Sequence, residues 1–315
     1  MSFDRDQMRA AAAQLAREGV FIGTSSWKYP SWLGQLYTQD RYVWHGRFSV
    51  ARFERLCLAE YAEVFKTVCV DAAYYKFPDH RFLERLVSQV PEDFLFALKV
   101  TDQITLKHYP NLPRFGRRAG TANEDFLNAG LFASAFLGPC QPFQANLGLL
   151  MFEFSHFSSR EFERGREFAE ALDQFLGELP RGWRYGIEIR NRAFLHPDYF
   201  AMLARHGVAH VFSSWQDMMP VDEQLALPGS RTSPDFFGAR LLLKPGRKYE
   251  EAVKLFSPYD RIKDPYPEGR AAGADLIRKA RSPDGATKGF IYVNNRFEGN
   301  ALATITGMVE QSGAA

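Results

Sequence analysis

The sequence has few cysteines, no long apolar run and almost no net charge, and each of these absences argues against a class of protein. Cys57, Cys69 and Cys140 are odd in number and lack Cys-x-x-Cys spacing, which argues against a disulfide framework and against a zinc knuckle. We expect buried thiols in a reducing compartment. Lys and Arg (39) nearly balance Asp and Glu (37), so no global field recruits nucleic acid or an anionic membrane.

The first residues do not have the pattern of a signal peptide. Asp4, Arg5, Asp6 and Arg9 precede a short alanine run, where a signal peptide would have an apolar core. No apolar run approaches the ~20 residues that span a membrane. We therefore expect a cytoplasmic protein with no membrane partner, and the sequence leaves its oligomeric state open.

Histidine is also scarce, and this bears on metal chemistry. The seven histidines are scattered and form no His-x-His pair, which disfavours a zinc-dependent reaction. We expect no cofactor. The one metal alternative that the sequence leaves open is a single Mg²⁺ held by Glu153, Glu188 and Asp71.

The sequence does contain a repeated alternation of short apolar strands with amphipathic helices. Each apolar run ends in polar residues, as a buried parallel strand does where it emerges into a loop. The runs lie at residues 21–25, 67–71, 94–101, 147–154, 185–190, 208–213, 239–244 and 290–294. Eight strands alternating with helices predict an α/β fold, a (β/α)₈ barrel of the TIM type.

The predicted organisation is an N-terminal helical extension over residues 1–20 and a single barrel domain over residues 21–312. Two connections are long: residues 215–236 after the sixth strand and residues 249–284 after the seventh. Loops that follow strands lie on the C-terminal face of such a barrel. We expect these two to form a lid or a substrate wall, although decorative insertions would show the same pattern.

Charged side chains are expected to converge at the C-terminal mouth of the barrel, because side chains along a strand alternate between the interior and the helix layer. Glu188 and Arg190 share the inner face of the fifth strand with Gly186. Buried charges are costly unless they are paired, either with a ligand or in a fixed layer that merely fills space. The predicted catalytic residues are Glu188, Arg190, Glu153, Lys99 and Asp71.

Aromatic, basic and amide residues follow the same strand ends and are predicted to contact the ligand. Flat rings beside cations suit a sugar, a nucleobase or a phosphate-bearing ligand, although rings that only anchor loops give the same pattern. The predicted ligand-binding residues are Ser25, Trp27, Tyr29, Tyr74, Tyr75, His108, Trp215, Lys244, Arg247, Asn294, Asn295 and Arg296.

Several short motifs, in order along about the whole chain, resemble the YecE-like family, known as domain of unknown function 72. They are IGTSSW at residues 22–27, TVCVDAAYY at 67–75, FLFALK at 94–99, EIR at 188–190 and FIYVNN at 290–295. The resemblance implies a barrel shaped like those of xylose isomerase and apurinic endonucleases, without an established activity. The chain departs from the family pattern at four places. Cys69 stands where the family usually has an acid, Asp71 where it has an asparagine, and Glu153 where it has a glutamine. Arg240-Leu241-Leu242 stands where it has Arg-x-His.

Two functions fit these patterns. The first is a hydrolase or lyase acting on an anionic or phosphorylated sugar or a nucleotide-like ligand, with Glu188 or Glu153 as base or orienting group. In this function the negative charge of the ligand would be neutralised by Lys99, Arg190, Lys244 and Arg247. The second is a non-enzymatic nucleic-acid-binding protein that uses the aromatic and basic rim, starting from Lys107, Arg114, Arg117 and Arg118. A two-carboxylate glycosidase is permitted, but nearby cations would keep both acids ionised.

Overall fold

Eight parallel strands close into a barrel in the computed structural model of the chain, which describes residues 3–314. Residues 1 and 2 of the predicted extension lie outside the described residues. The barrel strands are β1 (Val20–Thr24), β4 (Thr67–Val70), β5 (Leu95–Lys99), β6 (Leu147–Phe154), β7 (Tyr185–Ile189), β8 (Ala209–Ser214), β9 (Phe236–Leu241) and β10 (Lys288–Val293). A separate hairpin contains β2 (Val43–Trp44) and β3 (Arg47–Phe48). The predicted barrel fold is confirmed.

Helices cover the outside of the barrel and alternate with its strands. They are α1 (Arg5–Arg17), α2 (Val50–Ala62), α3 (Ala72–Tyr75), α4 (His80–Val87), α5 (Asp102–Thr105), α6 (Ala129–Leu131), α7 (Gly138–Cys140), α8 (Gly165–Glu178), α9 (Pro197–His206), α10 (Val221–Ala226), α11 (Tyr249–Phe256), α12 (Pro267–Ala280) and α13 (Ala301–Ser312). Local sequence sets several ends: Asp4 caps the first N–H groups of α1, and α9 stops at Gly207, which has a left-handed backbone.

The barrel interior is filled by alternate side chains of the strands. Ten buried residues form this inner cluster: Phe21, Cys69, Ala97, Leu149, Met151, Ala209, Val211, Phe236, Phe290 and Tyr292. The intervening strand residues belong to the larger core between strands and helices. Gly23 of β1 has no room for a side chain, since a Cβ there would lie 2.2 Å from the Thr67 carbonyl oxygen. The glycine in the IGTSSW motif therefore permits close approach of β1 to β4.

The seventh barrel strand begins and ends earlier than predicted. We expected residues 239–244, but β9 runs from Phe236 to Leu241, so the prediction that Lys244 continues its inner face is wrong. Gly238 of β9 lies against two inner side chains, since a Cβ there would be 2.9 Å from Leu149 and 3.1 Å from Val211.

Both long connections follow strands β8 and β9 as predicted and contain helices. The first holds α10, and the second holds α11 and α12. The hairpin of β2 and β3 was not predicted, because its two strands are each two residues long. All three cysteines are buried and free, as expected. Among residues 3–314, no helix is long and apolar enough to cross a membrane.

Candidate functional site

Four charged side chains meet inside the C-terminal mouth of the barrel. Lys99, Glu153, Glu188 and Arg240 come from the last residues of β5, β6, β7 and β9, and each side chain is turned inward by the alternation along its strand. All four are buried, and Glu188 is completely inaccessible to solvent. Buried charges of both signs require close pairing to offset the loss of hydration.

A network of ion pairs provides this pairing. Glu153 Oε2 lies 2.8 Å from Lys99 Nζ, 2.9 Å from Arg190 Nη2 and 2.7 Å from Arg240 Nη1. Arg240 Nη1 also lies 2.6 Å from Glu188 Oε2, and the Ser213 hydroxyl donates to Glu188 Oε1 at 2.8 Å. We call Lys99, Glu153, Glu188, Arg190 and Arg240 the ion cluster. The structure therefore brings together four of the five residues predicted as catalytic.

Arg240 is the centre of this cluster and was not among the predicted site residues. Its guanidinium contacts Glu153 and Glu188, and its Nη2 lies 3.4 Å from Asp71 Oδ1. The signal was present, because Arg240 is a charged residue on an inner strand position. The late boundary assigned to its strand put Lys244, rather than Arg240, at the strand end.

Asp71, the fifth predicted catalytic residue, lies at the edge of the cluster. It follows β4 directly, and its side chain is 39% exposed. Its 3.4 Å contact with Arg240 is longer than the contacts that Arg240 makes with Glu153 and Glu188, at 2.7 and 2.6 Å. Asp71 is thus the carboxylate of the mouth that solvent or a ligand can reach.

The charge state of Glu153 follows from its neighbours. Burial alone would raise the pKa of Glu153, but Arg190, Lys99 and Arg240 outweigh that effect and hold the pKa well below its usual range. Glu153 is therefore ionised near neutral pH. A carboxylate with so low a proton affinity is a weak base, and it suits orienting the surrounding cations better than removing a proton.

Aromatic rings lie against two of the cations. Lys99 Nζ is 3.7 Å from the centre of the Tyr74 ring, and the Arg190 guanidinium is 3.8 Å from the Trp215 ring. Both distances are within the range of cation–π attraction. Tyr75 is 64% exposed at the same mouth and lies near Arg114, whose guanidinium is 5.0 Å from its ring.

Two predicted ligand-binding aromatics are fixed in the wall of the mouth. Tyr29 packs on Trp32 and Tyr259 with ring centres 4.7 and 5.8 Å away, and burial raises the pKa of Tyr29 to about 12. Trp27 is buried, and its carbonyl accepts a hydrogen bond from the Tyr37 hydroxyl. These contacts fit the interpretation in which rings anchor loops.

Two buried N–H donors of the cluster have no hydrogen-bond partner in the described part of the chain. They are Arg240 Nε and Arg190 Nε. Asn295 is engaged elsewhere, since its Oδ1 accepts from the Ala301 N–H and its side chain bonds the Tyr29 hydroxyl. Leaving a buried donor unpaired costs roughly 1–3 kcal/mol. These atoms are therefore suited to an acceptor that comes from outside the chain.

Other predicted ligand-binding residues occupy turns. Ser25 is buried and its N–H donates to the Val293 carbonyl, while Asn294 Oδ1 accepts from the Arg296 N–H. The Arg296 guanidinium lies 4.6 Å from the Tyr249 ring. Asn294 thus orders the turn that presents Arg296.

Three of the predicted ligand-binding residues lie outside the ion cluster. Lys244 Nζ lies 5.1 Å from the Tyr266 ring, Arg247 forms an ion pair with Asp264, and His108 Nδ1 lies 3.4 Å from Glu161 Oε1. The structure does not bring Lys244 or Arg247 into the group that holds Glu153.

The basic residues of the nucleic-acid alternative are largely engaged within the chain. Arg114 pairs with Asp102 at 2.6 Å, the Arg118 guanidinium lies 4.7 Å from the Tyr109 ring, and Lys107 Nζ donates to the Glu161 carbonyl at 2.5 Å. Phosphate binding needs accessible cations in a continuous groove. These contacts give no support to that alternative.

A metal ion does not fit the carboxylates of the mouth. Arg240 Nη1 lies between Glu153 and Glu188, where a cation shared by the two acids would have to sit. Among residues 3–314, no group of three or more His, Cys, Asp or Glu side chains has metal-binding geometry. His206 and His210 are four residues apart, but His206 bonds Asp173, while burial lowers the pKa of His210 to about 4.

Comparisons with known proteins agree with the barrel. The family described as "Protein of unknown function DUF72" matches residues 21–315. The UPF0759 protein YecE of Escherichia coli K12 is 24% identical over 187 residues, which are 58% of this chain and 50% of that protein. The same figures hold for YecE of Escherichia coli O157:H7. The chain thus spans about half the length of the curated relatives it matches.

Solved structures give the same picture of the fold. A DUF72 family protein of Enterococcus faecalis V583 has a TM-score of 0.60 at 17% identity, covering 93% of this chain and 95% of that one. A DUF72 family protein of Thermotoga maritima MSB8 has a TM-score of 0.58 at 17% identity, covering 93% and 98%. At this level of identity, the likeness shows the fold alone.

Proposed function

The chain belongs to the family described as proteins of unknown function DUF72, and we propose that it binds a small anionic ligand at the C-terminal mouth of its barrel and acts on it as a hydrolase or lyase. The observation that carries the proposal is the ion cluster with its unpaired buried donors. Active sites of such barrels lie on this face. The ligand class is an anionic or phosphorylated sugar or a nucleotide-like molecule.

The charge balance of the cluster supports an anion. Lys99, Arg190 and Arg240 carry three positive charges, and the two buried carboxylates carry two negative charges. Asp71, 3.4 Å from Arg240 and partly exposed, supplies the third negative charge. An incoming phosphate or carboxylate would take the place of Asp71 beside the cations and accept a hydrogen bond from the unpaired Arg190 Nε.

The same geometry divides the chemical roles. Arg190 and Lys99 would stabilise negative charge that develops on the ligand, since buried cations act strongly where water is excluded. Glu153 holds these cations in place. Asp71, which is partly exposed and only weakly paired, is the carboxylate best placed to remove a proton from the ligand or from water. The role of base that the sequence suggested for Glu153 or Glu188 is thus assigned to Asp71 in this proposal.

Thermal shift with anionic probes tests this proposal. Ribose 5-phosphate, glucose 6-phosphate and AMP would be added to the wild type, to Arg190→Ala and to Arg55→Ala, whose side chain is exposed on α2. At about a hundredfold the dissociation constant, a ligand stabilises by about 2.7 kcal/mol, a shift of roughly 5 °C. We expect a shift of this size from at least one probe with the wild type and Arg55→Ala, and its loss with Arg190→Ala.

The outcomes distinguish a ligand-binding site from a layer of ion pairs that only fills the barrel. If none of the probes stabilises the wild type, or if Arg190→Ala responds as the wild type does, the anionic ligand at this mouth is excluded. A shift that depends on Arg190 but not on Arg55 supports it.

A further inference from the structure

A cleft of about 420 Å³ opens between the loops that follow β5 and β6. Residues 105–110 form one wall and residues 155–161 the other, and we call this space the side cleft. Ser155 comes two residues after Glu153, about 7 Å further along the extended chain. Its side chain interacts with the Tyr74 hydroxyl, and the Tyr74 ring contacts Lys99 of the ion cluster. The side cleft is therefore linked to the ion cluster through Ser155 and Tyr74.

The walls of the side cleft combine flat rings with an apolar lining. The imidazoles of His108 and His156 are both exposed there, and Leu106 and Phe157 supply apolar surface beneath them. Glu161 Oε1 lies 3.4 Å from His108 Nδ1, which orients that ring. Exposed imidazoles are among the side chains on which nucleobases stack.

Polar groups at the edge of the cleft suit the rim of a heterocycle. Glu161 Oε2 accepts from the N–H and hydroxyl of Ser158, so the carboxylate is held in one orientation facing the cleft. Arg160 is exposed on the same wall and has no ion pair among residues 3–314. The volume lies within the range of small-molecule pockets, about 300–1,000 Å³.

We propose that the side cleft takes the base of a nucleotide whose phosphate lies at the ion cluster. This rests on the proposed function and narrows its ligand class, because the cleft supplies stacking surface and the cluster supplies positive charge. A sugar phosphate would fill the mouth alone and leave the cleft to water. The base would lie against His156 and His108, with the ribose near Ser155.

Isothermal titration with AMP, ribose 5-phosphate and adenosine tests the inference. The wild type is expected to bind AMP about tenfold more tightly than ribose 5-phosphate, because only AMP carries a base that stacks. In His156→Ala this ratio should fall to about one, since AMP loses its stacking partner while ribose 5-phosphate is unaffected. His156 is exposed, so its removal should leave the fold intact.

Two further variants separate this inference from the proposed function. Arg190→Ala should weaken AMP and ribose 5-phosphate equally and leave adenosine unchanged; equal affinities in this variant and the wild type would mean that the proposed anion site fails. His80→Ala, a histidine on α4 outside the side cleft, should keep the wild-type ratio. The base-binding role is overturned if AMP binds no better than ribose 5-phosphate, or if His156→Ala keeps the wild-type ratio. Absence of binding by every probe overturns both proposals.

Discussion

Replacing Arg240 by methionine is expected to lower the free energy of unfolding by about 3–5 kcal/mol, because it removes the short 2.6 Å ion pair of the fully buried Glu188 and one of the three cations on Glu153. Methionine keeps much of the volume, so a cavity contributes little. Ser213 remains as a hydrogen-bond donor to Glu188 at 2.8 Å and Arg190 Nη2 remains 3.5 Å away, but neither reaches the Oε2 atom that Arg240 paired. Urea unfolding at pH 7 measures the loss.

A double variant shows whether the loss comes from charge. Adding Glu188→Gln to Arg240→Met removes the uncompensated charge, so the pair should cost less than the sum of the two single changes. Arg55→Met, on the surface of α2, should change the free energy of unfolding by no more than about 0.5 kcal/mol. A loss below about 1 kcal/mol in Arg240→Met would show that this arginine is not the centre of the cluster.

Glu153→Gln is expected to lower the free energy of unfolding by about 3 kcal/mol at pH 7, since three cations lose the carboxylate they share. The effect should depend on pH. The folded-state pKa of Glu153 lies well below the unfolded value of 4.5, so the ionised carboxylate adds stability that is complete above about pH 4.5 and declines as pH falls. Between pH 7 and pH 3 the gap to wild type should narrow by roughly 2 kcal/mol.

Denaturant curves of wild type and variant across this pH range measure the gap directly. Glu84→Gln, an exposed acid on α4, is the control, and its difference from wild type should stay small throughout. A gap for Glu153→Gln that is constant from pH 7 to pH 3 would contradict the low pKa and the three-cation environment behind it.

The barrel and most of its charged mouth could be predicted because both depend on local patterns. The alternation of side chains along each strand predicted that Lys99, Glu153 and Glu188 face the barrel interior. Because all three lie at the C-terminal ends of parallel strands, they were expected at the same mouth of the barrel. Which cation pairs with which carboxylate depends on how distant strands align around the barrel, and no local pattern gives that. Arg240 was missed for a different reason: the predicted strand ran to residue 244, so Lys244 was placed at its end instead.

The loop residues were harder to place than the strand residues. Arg247 was expected to face an anion, but it pairs with Asp264, seventeen residues further along the same connection. Lys244 was expected on an inner strand position and instead lies beyond the end of β9, near Tyr266. Loop side chains lack the fixed alternation that a strand imposes, so their charge alone does not say which way they point.

The positions at which this chain departs from the YecE-like pattern lie near Arg240. The family resemblance implies an acid at position 69, inside the barrel, where this chain has a cysteine. Asp71 and Glu153 replace residues that are usually neutral, and both lie within hydrogen-bonding reach of Arg240. The resemblance thus implies that the negative charge facing this arginine lies nearer the mouth in this chain, where Asp71 is open to solvent.

The central claim is that the ion cluster forms an anion-binding site. A crystal structure determined from crystals of the protein soaked with AMP tests this claim most directly. We predict density for the phosphate within hydrogen-bonding distance of Arg190, with Asp71 turned away from Arg240. An intact cluster with no density at the mouth, or density for AMP only elsewhere on the surface, would contradict it and leave the cluster as a structural layer.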